Sequence, residues 1–496
     1  MSDRRRVLIQ KFFEEKGFIE DDIKSFNDFI EFRLQKILED NQLVEPTVIP
    51  PNVDDFKIRL DRIWVGKPEI TEADGSKRPI YPVEARLRKL SYSAPIFVEV
   101  SSHVNGVQRE SVTTQIGNLP IMLKSKYCHL HKMRREELIK HGEDPDDPGG
   151  YFIINGTEKV VIRIEDLAPN RFMVQKEATG TSEFSGKLFS ERGSYKIPHL
   201  VEKLSDGVFY LSFTRVKRIP LVVVMKALGM LEDKTIMETV GLAEHPEVFI
   251  NLYQFMEIKD EEEALDYMAR KIGITQSREI RVGRMQEIID RFLLPHIGLT
   301  TKDRKAKAIN LCKYWNDFIQ VSSGVRPDDD KDHYKNKRLK QTGDLLADLF
   351  SVNLKVLIGD LLYNFQRIVK RGKFPTIKVI IREKLLTQRI YSSMATGTWV
   401  GGRTGISQRM ERLNFLHALS HLQRVVSPLS SSQENFEARA LHATHLGRLC
   451  PLETPEGSNI GLRKNKALLS GITASEMVDN DELIRSFKSL GLETEE

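Results

Sequence analysis

Apolar residues in the first forty positions recur at close to a helical period. Ser2 or Asp3 can cap a first helix that stops at Gly17, where a left-handed residue is easily accommodated. A second helix follows Asp21 and Asp22, whose charges suit its positive end, and Ile23, Phe26, Ile30, Leu34 and Ile37 give it one buried face. Pro46, Pro50 and Pro51 break the helical run. From Phe56 the period changes to two, with Phe56, Ile58 and Leu60 alternating against Lys57, Arg59 and Asp61. Asp74-Gly75 and Asn105-Gly106 suit tight hairpins, so residues ~55–125 predict a twisted antiparallel sheet. A Pro/Gly turn cluster from Asp144 to Gly150 then leads into the strand-like run Tyr151 to Ile154.

The texture differs between about 168 and 330. Short strands with glycine turns at Gly180, Gly186, Gly193 and Gly207 come first, and helical segments such as Glu247 to Met256 and Met285 to Leu293 follow. This predicts a separate α+β domain that closes at Arg326-Pro327-Asp328-Asp329-Asp330. A long helix then runs from about Thr342 to Arg371, with Leu345, Leu349, Leu357, Leu361 and Phe365 on its apolar side and Lys370, Arg371 and Lys373 at its negative end. The fold class is α+β and multidomain, with mixed antiparallel sheets and helices.

Composition narrows the class further. The 496 residues are 40 % apolar and 29 % charged, which fits a globular chain of several domains. No apolar run approaches the ~18 residues of a membrane span; the richest, Leu221 to Met225, is bounded by Arg218 and Lys226. The basic start Arg4-Arg5-Arg6 has no apolar core behind it, so no signal peptide is read. Cys128, Cys312 and Cys450 are few, odd in number and far apart, as free thiols in a reducing cytosol would be, and the expected location is cytoplasmic. A net charge of +5 on so long a chain does not by itself identify a nucleic-acid partner.

Several sites of familiar appearance do not hold up. Gly180 to Leu188 resembles a phosphate loop, but its spacing is one residue too long and Leu188 stands where a magnesium-binding hydroxyl belongs, so it reads as a hairpin turn. Cys128, His129 and His131 lack a second ligand pair for zinc and read as a structural thiol with exposed imidazoles. Asp144, Asp146 and Asp147, and likewise Asp328, Asp329, Asp330 and Asp332, read as solvated turns. The compact Asp-x-Asp-x-Asp arrangement that would hold catalytic magnesium is absent from the sequence.

Charge is concentrated elsewhere. Residues 389–448 hold seven arginines (Arg389, Arg403, Arg409, Arg412, Arg424, Arg439, Arg448), three glutamates and neither lysine nor aspartate, a local balance of 7 − 3 = +4. Guanidinium is always charged and its planar fork matches phosphate oxygens. Gly397, Gly401, Gly402 and Gly405 allow close backbone approach, and His417, His421, His442 and His445 add donors. Composition alone leaves two readings open: a phosphate-contacting surface, or a basic face paired with acidic neighbours.

The order of residues says more. Ala418-Leu419-Ser420-His421-Leu422-Gln423-Arg424 precedes Arg439-Ala440-Leu441-His442-Ala443-Thr444-His445. Then come Gly447-Arg448-Leu449-Cys450-Pro451-Leu452-Glu453-Thr454-Pro455-Glu456-Gly457 and Asn459-Ile460-Gly461-Leu462. This block resembles the fork region of the second-largest subunit of cellular RNA polymerases. Asp147-Pro148-Gly149-Gly150-Tyr151 through Lys159 and Asp332-His333-Tyr334 with Lys337-Arg338-Leu339 match in the same order. The resemblance runs over about residues 10–470, weakest in 170–320, and is closest to the N-terminal half of the split archaeal subunit.

That resemblance implies an architecture and a role. A protrusion would take residues 1–167 and 331–385, an inserted lobe 168–330, a fork 386–470 and a polar tail at the subunit split 471–496. Protrusion and lobe would form one wall of the DNA cleft, and the fork would reach the RNA–DNA hybrid. The resemblance places Gln408 and Arg424, with Arg403 nearby, against the hybrid backbone, and gives Arg439 and Glu456 a part in fork geometry. It assigns no catalytic residue and no metal to this chain; magnesium would be held by the largest subunit. Implied partners are the C-terminal half of the same subunit, the largest-subunit chains, the small polymerase subunits, basal transcription factors, template DNA and the hybrid, with no membrane. The Ser-rich loop Ser427 to Asn435 departs from the glycine-containing loop of eukaryotic relatives. The competing class is a free-standing nucleic-acid-binding protein that uses the arginine segment alone.

Overall fold

The computed structural model describes residues 2–49, 53–177, 182–193, 195–241, 245–373, 376–473 and 480–491. The chain divides into two compact units, one made of Met1–Ile164 with Leu339–Glu496 and the other of Glu165–Arg338.

In the first unit an antiparallel sheet is ordered Leu43–Val44, Phe56–Val65, Ser93–Val104, Val107–Pro120. Phe56, Ile58 and Leu60 face inward as the alternation requires, but the inward set then continues at Ile63 and Val65. A bulge causes this change of parity: Leu60 pairs with Val100 and Arg62 with Glu99, so Asp61 is the extra residue. Asn105 and Gly106, at φ 48° and 78°, close the two-residue hairpin between Val104 and Val107. The Thr342–Val369 helix supplies the other side of the core, with Leu345, Leu349, Leu357, Leu361 and Phe365 all buried. Phe365 stacks on Phe56 at 4.7 Å between ring centroids.

The second predicted helix is interrupted. Glu20–Asp28 and Leu34–Glu39 are joined by a π-helical turn over Phe29–Arg33. Buried positions fall at Asp22, Phe26, Ile30, Leu34 and Leu38, a spacing of four that would drift off one face at 3.6 residues per turn. The wider turn absorbs that drift. The first helix runs Ser2–Glu15, and Gly17 lies outside it without a left-handed φ, contrary to the expected glycine stop.

The second unit carries a five-stranded antiparallel meander, Met173–Lys176, Phe184–Arg192, Tyr195–Lys203, Phe209–Phe213 and Val216–Pro220. Helices follow, among them Pro246–Gln254, Arg278–Phe292 and Arg304–Ser322. Leu221–Ala227 is a helix buried on every side, which accounts for its apolar run. Its Lys226 is buried too, and its Nζ donates to the Phe255 and Ile258 carbonyls at 3.0 Å each and pairs with Asp233 at 3.1 Å. Antiparallel pairing of Met173–Lys176 with Phe184–Arg192 makes the false phosphate loop a hairpin; its Gly180 and Thr181 lie outside the described residues. Gly186 is no turn residue: it sits within a strand, where a Cβ would come within 2.3 Å of the Phe172 ring.

Three further expectations need correction. Asp332 is buried and paired with Lys337 at 3.0 Å rather than solvated, because Lys337 is itself enclosed between Asp332 and Glu165. His129 and His131 are half-buried, not exposed, and His129 Nδ1 lies 3.0 Å from the Ile80 carbonyl oxygen. The expected polar tail is not polar throughout, since Asn480–Ser489 is an amphipathic helix, while Asp479, Glu493, Glu495 and Glu496 lie outside the described residues. Among the described residues no helix is long and apolar enough to cross a membrane.

Candidate nucleic-acid interface

The arginine segment belongs to the first unit and is built on strands laid down far earlier in the chain. Ser407–Arg409 pairs antiparallel with Thr157–Val161, placing Gln408 opposite Val160. Arg424–Val426 lies antiparallel to Arg463–Asn465 and parallel to the strand that begins at Arg163. The buried Arg163 guanidinium pairs with Asp22 and donates to the Leu422 carbonyl at 3.2 Å, so a charged cross-link holds the Phe415–Leu422 helix to the N-terminal helices.

That short helix organises the centre of the site. His421 is fully buried. The Glu411 backbone N–H donates to His421 Nδ1 at 3.2 Å, which leaves the Nε2–H to donate to Gln408 Oε1 at 3.2 Å. Burial, followed by the Arg424 charge, pushes the imidazole pKa down to about 4, so it is neutral at physiological pH. Gln408 Nε2 donates to the Gly405 carbonyl at 2.9 Å, and both ends of its amide are therefore used within the chain. Arg424 is mostly covered and stands 3.7 Å from the Glu411 carboxylate. It borders a recess of about 330 Å³ with Glu411, Glu453, Thr454 and Arg463. Gln408, Glu411, His421 and Arg424 thus form one connected group.

The family-like block around Pro451–Gly457 holds the far side of this recess. Asn465 Nδ2 donates to Glu453 Oε1 at 3.0 Å, and Ser420 Oγ donates to the same oxygen. Thr454 Oγ1 donates to the Arg463 carbonyl at 2.9 Å and accepts from the Gly461 N–H at 2.9 Å. A second recess, of about 590 Å³, is lined by Arg403, Arg463 and the backbone-rich stretches around Gly401–Gly405 and Ser427–Ser431. Arg463 borders both.

Arg439 acts as a clamp. Its guanidinium donates to the carbonyls of Ser458 (2.6 Å), Ile460 (3.1 Å), Ser431 (3.0 Å) and Gln433 (3.2 Å). Gly461 packs so tightly on it that a Cβ would lie 2.1 Å from the Arg439 carbonyl oxygen, and its φ is +71°. Glu456 is exposed and begins the short Gly457–Asn459 turn that the clamp grips.

Arg412 is held in the same internal way. It pairs with Glu158 and, at 2.8 Å, with Asp147. Arg86 reaches Glu158 at 2.9 Å and Glu143 at 2.8 Å. Tyr151 donates to Asp147 at 2.9 Å. Asp147 is therefore a structural carboxylate, not part of a solvated turn. Arg389 donates to Asn353 at 2.9 Å, and Arg448 to the Thr444 carbonyl at 3.1 Å. Sequence reasoning missed Glu411, Glu158 and Arg463. Glu158 lies in a recognisable motif, but nothing local points to its partner 254 positions away. Among the described residues no group of three or more His, Cys, Asp or Glu side chains is arranged to hold a metal.

A model of the RNA polymerase beta subunit matches residues 17–388, and one of RNA polymerase Rpb2, domain 3, matches residues 408–472. The DNA-directed RNA polymerase subunit Rpo2N of Methanocaldococcus jannaschii is 43 % identical over 497 residues, covering 98 % of this chain and 99 % of that protein. The chain belongs to the RNA polymerase beta-subunit family. Its match is to the N-terminal half of the split second-largest subunit. The Rpo2N subunit of Methanococcus vannielii is 40 % identical over 500 residues, with 98 % and 99 % coverage. Saccharolobus solfataricus Rpo2 is 44 % identical over 476 residues that make up 95 % of this chain but only 42 % of that longer protein. The matched domain 3 model contains the whole Gln408–Arg424 group together with the Arg439 clamp.

Proposed function

We propose that this chain forms one wall of the DNA cleft in a DNA-directed RNA polymerase, with residues 1–167 and 331–385 as protrusion, 168–330 as lobe and 386–470 as fork. The assembled enzyme joins ribonucleotides on a DNA template and releases pyrophosphate. This chain contributes positioning and electrostatic guidance to that reaction, with magnesium held by the largest subunit. It works with a C-terminal half of the same subunit, the largest-subunit chains, small subunits and basal transcription factors. On its own it is inactive in templated synthesis.

One observation carries the fork assignment. Arg424 borders an open recess that Glu453 also lines, and among the described residues its ion-pair carboxylate is Glu411 at 3.7 Å, whereas Arg412 and Arg439 are consumed by short internal contacts. A neutral His421 adds no competing charge beside it. A guanidinium so placed suits a phosphate of the hybrid, a contact blind to base identity, as an enzyme that moves along any sequence requires. Arg403 lies in the neighbouring recess and makes a second contact. Gln408, whose amide is already engaged, adds less than a charged group and chiefly holds His421 in place. Arg439 and Glu456 set the geometry of the turn beside them.

The test is the lifetime of elongation complexes against salt. Arg424→Ala is expected to shorten lifetime on all templates alike and to reduce the log–log salt slope by about one phosphate contact. Gln408→Ala is expected to have a smaller effect. A lower melting temperature of the assembly with an unchanged slope would mean that Arg424 serves only its pair with Glu411.

A further inference from the structure

Near the end of the chain the Ile472 N–H donates to Asp21 Oδ2 at 3.3 Å. Beyond it, Asn480–Ser489 forms a helix of 10 residues. Leu483, Ile484 and Phe487, with Leu490 just after it, are 41 %, 43 %, 45 % and 81 % exposed. At about 100° per residue these four fall within an arc of roughly 120° that also takes in Asn480 at the helix start, and the other polar residues fill the rest of the circumference. So short a helix is marginal in water by itself, and an apolar stripe of this width is the pattern of a helix that lies against another surface. The charges on it balance, Asp481 and Glu482 against Arg485 and Lys488, so it does not suit a phosphate backbone.

The relatives indicate what covers the stripe. The 476 residues shared with Saccharolobus solfataricus Rpo2 are 42 % of that protein, so more than half of it has no counterpart here. The Rpo2N relatives match 98 % of this chain, through almost its whole length. Resting on the reading given above, we propose that Leu483, Ile484, Phe487 and Leu490 form a docking face for the polypeptide corresponding to that remainder, the C-terminal half of the subunit. The helix lays its apolar stripe into a groove on that polypeptide and is an element of its fold rather than of this chain's core.

The experiment uses the full chain and the full C-terminal polypeptide, purified separately and titrated by calorimetry. Burial of one large apolar side chain is worth about tenfold or more in an association constant. The double variant Leu483→Ala/Phe487→Ala is therefore expected to bind roughly 100-fold more weakly than wild type. Lys488→Ala, on the polar side, is expected to bind as wild type does. Hydrogen exchange at residues 480–491 is expected to slow when the two polypeptides join. Equal binding by the double variant overturns the docking face while leaving the functional reading intact. So does self-association of this chain that the double variant abolishes, since a second copy would then be the occupant. Failure of the wild-type polypeptides to associate at all overturns both.

Discussion

The Glu165–Arg338 unit and the arginine-rich segment of the other unit use the same kinds of residue to opposite ends. The first closes on itself: its sheet and helices bury Phe209, Phe213, Trp315, Phe318 and the whole Leu221–Ala227 helix, and even its buried Lys226 finds three partners. Beyond the Glu383–Thr396 helix that carries Arg389, the second is made of elements of three to eight residues held by polar clamps, and it leaves Leu413, Leu416, Phe436 and Leu452 largely exposed. A self-contained core needs nothing further. On the proposed assembly, these exposed apolar residues are the positions that other polymerase chains would cover.

The strongest test of this contrast is Trp315→Ala. Trp315 is fully buried and edge-on to Phe209 at 5.6 Å, so its loss is expected to cost about 3–5 kcal/mol, read as earlier unfolding in urea. Next is Arg439→Ala. It releases four carbonyls that water can partly satisfy, and an expected cost of about 1–3 kcal/mol should appear with faster proteolysis between 427 and 435. A smaller effect comes with pH. His199 in the first region and His421 in the second both have pKa values lowered from 6.5 to about 4, chiefly by burial. The unfolded chain therefore takes up these protons first. The stability is fully present above about pH 6.5 and is lost as the pH falls toward 4, which melting curves across that window would record. The smallest effect is expected for Leu416→Ala. It should change the stability of the isolated chain by less than about 0.5 kcal/mol while reducing its incorporation into the polymerase in a reconstitution assay.

Much of this contrast is visible in the sequence. Alternation at Phe56–Leu60, the Asn105-Gly106 turn and the apolar stripe of the Thr342–Val369 helix each depend on neighbours a few residues apart, and all three occur as predicted. The motif block identified the family for the same reason, since it is contiguous. What the sequence could not reveal depends on partners brought together only by folding. The bulge at Asp61 answers the pairing strand, and the π-turn at Phe29–Arg33 answers the core it faces. The arginines are the clearest case. Composition made Arg412 and Arg424 equivalent, but Glu158 and Asp147 hold one at short range while the other stands 3.7 Å from Glu411. Arg439 needed four carbonyls from two separate loops before its role could be read.

The division of the chain also bears on the order in which it is made. Residues 165–338 form one uninterrupted stretch, so they can close their core as soon as they leave the ribosome. The other unit has to wait. The Thr342–Val369 helix meets the first helices through Gly343, whose N–H donates to Ser25 at 3.1 Å, and through the Arg33–Asp344 pair, contacts spanning more than 300 positions. Until that helix has been synthesised, Phe26, Phe56 and Ile58 lack part of the surface that buries them. At the ribosome, then, the N-terminal sheet is an apolar surface awaiting its cover while the later-made insert is already folded. Chaperone occupancy during synthesis should peak before residue 342 emerges and fall once the helix has been made.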